Sequence, residues 1–184
     1  KQCQMIIEAG RSQPKIDAQV GSGKGIKGGV IDTKTRTSHI SWIPFKKTPE
    51  MYKDIELAMK TANGNHFGFD GMQLTEYAQY TEYPEGGFYD WHVDNDVSFE
   101  KEPPVRKISM TLALSPDNEF EGGGLELMSE GKIVKPKQGH AVFFASFIRH
   151  RAMTVTTFSS PDLYCRYRSP NFKSRVRKKY YKVV

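Results

Sequence analysis

Between residues 74 and 168 the chain is a run of short segments in which apolar and polar residues alternate, broken repeatedly by Gly, Pro, Asn or Asp. Strict alternation marks strands with one buried face, and the breaking residues mark turns. The segments are 74–83, 108–114, 125–128, 132–135, 140–147 and 151–157, with 163–168 as a further candidate. So many short strands need to cover their edges, and a double sheet does this. Two helices precede them. In residues 1–10, Cys3, Ile6 and Ile7 have helical spacing and Gly10 stands as a C-cap. Thr48-Pro49 opens the clearer helix as N-cap and first turn. Tyr52, Ile55, Met59 and Ala62 form its apolar stripe, and Asn63-Gly64 ends it. The predicted class is α+β, mainly β: a jelly roll, or double-stranded β-helix, with the N-terminal helices packed on one sheet. Residues 1–172 are expected to form one domain, followed by a basic tail over 173–184.

A chain of 184 residues can bury a sizeable core. No apolar run reaches the length of a membrane span, and no signal peptide is visible. The two cysteines, Cys3 and Cys165, make neither a disulfide framework nor a Cys-x-x-Cys site. A reducing cytoplasm is the expected compartment. The formal charge of +6 is concentrated at the C-terminus, where Lys173, Arg175, Arg177, Lys178, Lys179 and Lys182 have no acidic neighbour. Taking these six from the 27 basic residues leaves 21, equal to the 21 acidic ones, so the body is formally neutral. Such a tail can contact nucleic acid, but a protein gripping a polyanion over its whole face would carry positive charge in the body too. Nucleic acid is therefore not the favoured partner.

The chemistry concentrates in Tyr83-Pro-Glu-Gly-Gly-Phe-Tyr-Asp-Trp-His-Val-Asp94. In a strand, residues two apart share a face, so His92 and Asp94 point together into one cavity. One imidazole and one carboxylate side by side are two thirds of a facial triad, whose third ligand is a second histidine. His39, His66 and His140 read as surface, turn and structural residues. His150 differs, because it follows a strand and tight bend and starts the 151–157 segment. Tyr77, Gln79, Thr81 and Tyr83 fall on one face of the 74–83 segment, which is either the wall of a wet cavity or the solvent face of an edge strand. Residues 21–29 contain Gly23-Lys-Gly-Ile-Lys-Gly28, but no strand–turn–helix unit surrounds it, so it reads as a loop and not a dinucleotide fingerprint. This loop and residues 97–104 are expected at the mouth of the cavity, as lids.

In combination, five motifs resemble the 2-oxoglutarate- and iron(II)-dependent oxygenases of the prolyl 4-hydroxylase type, in their compact bacterial and phage form. They are Tyr83-x-x-Gly86-x-x-Tyr89-x-x-His92-x-Asp94, Arg106-Lys-Ile-Ser109, Phe120-Glu-Gly-Gly-Gly-Leu125-Glu-Leu, Gly139-His-Ala-Val-Phe-Phe-Ala-Ser and His150-Arg-x-Met-Thr-Val-Thr156. The resemblance implies that His92, Asp94 and His150 ligate iron(II), with 2-oxoglutarate and O2 as cosubstrates and ascorbate as a candidate reductant. It implies that Tyr83 binds the distal carboxylate of 2-oxoglutarate, that Tyr89 lies near the substrate and that Trp91 lies beside the site. The substrate it implies is a prolyl residue in a peptide or protein. Two other readings stay open: the same chemistry on nucleic acid or a free amino acid, and a jelly-roll binding module without catalysis.

The chain departs from the family at one point. Relatives carry an Arg or Lys one strand beyond the distal histidine, paired with the cosubstrate carboxylate; here Ser160 and Pro161 stand there. On the following strand Arg166 shares a face with Tyr164 and Arg168, and Arg166 is the predicted replacement.

Overall fold

A computed structural model describes residues 1–20, 30–94, 105–128, 132–158, 164–168 and 172–174; for 105, 164–168 and 172–174 only the backbone is described. The elements are α1 (Gln2–Arg11), β1 (Ile16–Asp17), β2 (Arg36–Thr37), β3 (His39–Ile43), α2 (Pro49–Ala62), a π-helical turn (Asn63–Phe67), β4 (Met72–Leu74), β5 (Ala78–Tyr83), β6 (Phe88–His92), β7 (Val105–Ala113), β8 (Phe120–Gly122), β9 (Leu125–Leu127), β10 (Lys132–Val134), β11 (Ala141–Ala145), β12 (His150–Ala152), β13 (Val155–Phe158), β14 (Tyr164–Arg168) and β15 (Phe172–Ser174). None of the described helices is long and apolar enough to cross a membrane.

The strands form the expected antiparallel jelly roll. The larger sheet runs β1-β3-β5-β14-β7-β15-β4, with β11 also paired to β7. The smaller sheet runs β10-β9-β12-β6-β2, and β13 pairs with β8. Both helices pack on the outer face of the larger sheet. Ile6, Ile7, Tyr52, Ile55 and Met59 meet Ile43, Ala78, Tyr80, Ile108 and Met110 in one core. The phenol of Tyr52 ties α2 to this sheet, donating to the Ile43 carbonyl and accepting from the Ala78 N–H at 2.8 Å. Burial pushes the Tyr52 hydroxyl up to about 12, against the pull of the Ala78 hydrogen bond.

Strand β5 shows how alternation sets up the site. Ala78 and Tyr80 face the helices. Gln79, Thr81 and Tyr83 face the interior between the sheets and are buried, so this part of the polar-aromatic face is a cavity wall; Tyr77, ahead of β5, is exposed and does not belong to it. On the helix side Glu82 accepts from Arg11 Nε at 3.1 Å, Lys15 Nζ at 2.8 Å and the Tyr80 hydroxyl at 3.1 Å. Burial opposes ionisation of Glu82, but the bonds from Lys15 and Arg11 outweigh it and hold the carboxyl below its ordinary value.

Several predicted boundaries differ. Residues 74–83 are two strands, because β4 pairs with β15 while β5 pairs with β3 and β14. Between them Glu76 is drawn to Arg106 at 3.0 Å and Tyr77 packs edge-on against Phe45. Residues 151–157 break after Ala152, where the chain leaves the smaller sheet to pair with β8. Gly10 does not cap α1. It lies inside the helix against the Tyr80 ring, where a Cβ would come within 2.3 Å of Cγ, and Ser12 is the C-cap. Thr48 is the N-cap of α2 and Pro49 follows it, but no side-chain cap bond forms. α2 ends at Ala62 with Asn63 as its C-cap, as expected, but a π-helical turn follows directly and runs to Gly68, whose φ of 68° suits glycine. The predicted lids at 21–29 and 97–104 lie outside the described residues.

Candidate metal and cosubstrate site

His92 is the last residue of β6, and Asp94 lies two residues past its end, so the pair sits at a strand terminus and not within a strand. His150 opens β12 directly opposite His92. Nε2 of each histidine is 3.6 Å from Asp94 Oδ1, and the three ligand atoms all lie within 4.8 Å of one another. The imidazoles are oriented by their other nitrogens. His92 Nδ1 meets the Asp90 carbonyl at 2.7 Å and His150 Nδ1 meets the Ile148 carbonyl at 2.9 Å. A carbonyl only accepts, so each Nδ1 carries the proton and each Nε2 presents its lone pair to the common point. Phe144 packs edge-on to His150 at 4.5 Å between ring centres and limits its rotation.

The carboxylate is held from behind. Ser109 Oγ donates to Asp94 Oδ2 at 2.7 Å and lies 2.9 Å from Ser146 Oγ. The Asp94 N–H donates to the Ser146 carbonyl at 3.0 Å, and Arg106 Nη1 donates to the Asp94 carbonyl at 3.1 Å. The Arg106-Lys-Ile-Ser109 motif is thus a cradle for Asp94, leaving Oδ1 directed at the histidines. Two neutral imidazoles and one carboxylate, each fixed by a second group, are a donor set that fits iron(II) and leaves coordination positions open.

Beside the triad is a pocket walled by both sheets, with Thr81, Tyr83 and Thr111 on one side and Tyr89, Leu125 and Ala152 on the other. A β-bulge opposite Arg151 brings Tyr89 and His92 to the same face although they are three residues apart. Their rings stack with centres 3.5 Å apart. Tyr83 is buried in the pocket wall. Trp91 does not line this pocket; its ring lies under Arg149 and Arg151, with guanidinium carbons 5.7 and 4.9 Å away. Arg166 occupies the β14 position opposite Thr81 and Ala113, and its side chain lies outside the described residues.

Sequence reasoning missed Arg36. It is 4% exposed and lines the same pocket. Its Nε donates to Ser38 Oγ at 2.8 Å, its Nη2 donates to Gln79 Oε1 at 3.1 Å, and its guanidinium lies 4.5 Å over the Tyr89 ring. The one available signal was a lone arginine in an extended Thr/Ser segment, which does not by itself indicate burial.

Comparison with known proteins agrees with this site. The sequence profile of the 2OG-Fe(II) oxygenase superfamily matches residues 78–168. The chain belongs to that superfamily. It is 28% identical over 162 residues to a PKHD-type hydroxylase of Synechococcus sp., covering 84% of this chain and 67% of the relative. Its fold is similar to the viral collagen prolyl hydroxylase of Paramecium bursaria Chlorella virus-1, with a TM-score of 0.66, 19% identity and coverage of 94% and 89% of the two chains. It is also similar to a Trichoplax adhaerens prolyl hydroxylase solved with a hypoxia inducible factor peptide, with a TM-score of 0.67, 16% identity and coverage of 94% and 78%. The protein is a 2-oxoglutarate-dependent dioxygenase that uses iron(II) and O2.

Proposed function

We propose that this oxygenase hydroxylates a prolyl residue in a peptide or protein. In this reading His92, Asp94 and His150 hold the iron. Tyr83 and one cation receive the distal carboxylate of 2-oxoglutarate, Arg166 being the candidate that the sequence offers. Tyr89 and Trp91 meet the substrate. The observation that carries the reading is the convergence of three oriented donor atoms beside a pocket between the sheets, in a chain related to a PKHD-type hydroxylase. The prolyl hydroxylases of similar fold support the choice of substrate.

Bound iron(II) would supply the redox chemistry that couples oxidative decarboxylation of 2-oxoglutarate to insertion of one oxygen of O2 into a C–H bond. The chain's own residues supply position and protection. The carbonyls of Asp90 and Ile148 keep both imidazoles in one tautomer. Ser109 fixes the plane of the Asp94 carboxylate. Thr81, Thr111 and Tyr83 line the wall with polar groups, while Leu125 and Ala152 line the other side with apolar ones.

The test is incubation with proline-containing peptides, iron(II), 2-oxoglutarate and air, read by mass spectrometry. The expected result is a one-oxygen mass increase on proline, matched by succinate and absent without 2-oxoglutarate. Succinate formation stimulated by oligonucleotides and by no peptide would overturn the choice of substrate.

A further inference from the structure

The family's usual carboxylate-binding cation is missing from residues 160 and 161, yet the pocket contains a buried guanidinium that the sequence did not reveal. We propose that Arg36 binds the distal carboxylate of 2-oxoglutarate. This rests on the reading of the pocket as the cosubstrate pocket and adds the residue that gives it charge selectivity.

The argument begins with the cost of the residue. A buried arginine is stable when a counter-charge accompanies it. Among the described residues no carboxylate pairs with Arg36; its partners are the neutral Ser38, Gln79 and Tyr89. These partners orient the guanidinium without neutralising it. The group also carries more N–H donors than Ser38 and Gln79 take up. A fork of free donors on a fixed cation, in a pocket wall, matches a carboxylate bidentately.

Charge counting selects the carboxylate. Two neutral histidines and one aspartate leave a bound divalent ion with one net positive charge. The carboxylate of 2-oxoglutarate beside the keto group would cancel that charge when it binds the metal. The distal carboxylate is the one left needing a cation, and Arg36 is the buried described one lining the pocket. The placement follows from strand pairing. Arg36 stands opposite Tyr89 in the β2–β6 pair, and the bulge in β6 turns that register inward.

The experiment is a calorimetric titration of the iron(II)-loaded protein, without oxygen, against 2-oxoglutarate and against 2-oxobutyrate. The second acid keeps the metal-binding end and lacks the distal carboxylate. Arg36→Gln is expected to weaken 2-oxoglutarate by roughly 10–100-fold, the worth of a charge-assisted hydrogen bond. It should leave 2-oxobutyrate and iron affinity unchanged. Equal weakening of both acids would show a structural role and overturn the proposal, as would no change in either. Selective loss in Arg166→Gln with Arg36→Gln unchanged would assign the cation to β14 instead. If Arg36→Gln does not fold, Arg36→Lys keeps the charge without the fork: a reduced preference for 2-oxoglutarate supports the proposal and an unaltered one overturns it. If the unsubstituted protein binds neither acid, the reading of the pocket itself falls.

Discussion

The hydroxyl of Ser109 donates to Asp94 Oδ2 across 2.7 Å, and this bond decides which oxygen of the carboxylate faces the histidines. Both residues are buried, so water cannot take the place of the serine. Ser109→Ala should lower iron affinity by about 10–100-fold, the usual effect of removing a partner of a metal ligand. Ser109→Thr keeps the hydroxyl and should recover most of it. Metal titration of the folded variants checks this; unchanged affinity in Ser109→Ala would remove the serine from the site.

A divalent metal should also stabilise the fold. Metal at about 100 times its dissociation constant adds about 2.7 kcal/mol to unfolding, visible as a higher melting temperature. His150→Ala should abolish this gain, whereas His140→Ala should keep it, because His140 is an exposed residue outside the triad. A chelator should return the unsubstituted protein to the melting temperature of His150→Ala. The opposite pattern in the two histidines would move the metal elsewhere.

Glu82 gives the larger sheet a pH dependence. Its folded-state value is depressed, so its contribution is complete above the unfolded value, near 4.5, and is lost as pH falls through the lower folded value. Stability should therefore decline in acid below about pH 4.5, and Glu82→Gln should flatten that decline. At neutral pH the same substitution should cost about 1–3 kcal/mol, less than a fully buried pair because Arg11 and Lys15 are half exposed. Denaturant unfolding at several pH values measures both effects.

Gly10 allows α1 to approach the larger sheet. Gly10→Ala would push a methyl group into the Tyr80 ring and should cost about 1–3 kcal/mol by overpacking. Ser41 donates to the Gly10 carbonyl at 2.8 Å, so this contact has no slack on its other side. Pairing the change with Tyr80→Leu should recover part of the loss, measured by unfolding midpoints. A neutral Gly10→Ala would mean that the helix shifts freely.

How much was legible beforehand follows from the kind of information each feature needs. Alternation in β5 and β7, and the stripe of α2, are local patterns, and they located the sheets and the helix. His92 and Asp94 were legible because two residues in one segment share a face. His150 required the family resemblance, since its pairing opposite His92 is a property of topology. The break between β4 and β5 was hidden because alternation continues through Thr75-Glu76-Tyr77 while the hydrogen-bond partners change. Arg36 was hidden for a related reason: its burial comes from Gln79 and Tyr89, more than forty residues away, and no local pattern reports it.

The bulge in β6 makes the spacing between Tyr89 and His92 a counted distance. An ordinary strand brings back the same face every second residue, and this one does so after three. Without the bulge, plain alternation over three residues would turn Tyr89 away from the pocket, taking its contact with Arg36 with it. Straightening an outer loop changes a length; straightening the strand here turns the wall of the pocket inside out. Single substitutions at the exposed Asp90 that leave the bulge in place should therefore be tolerated in a random library.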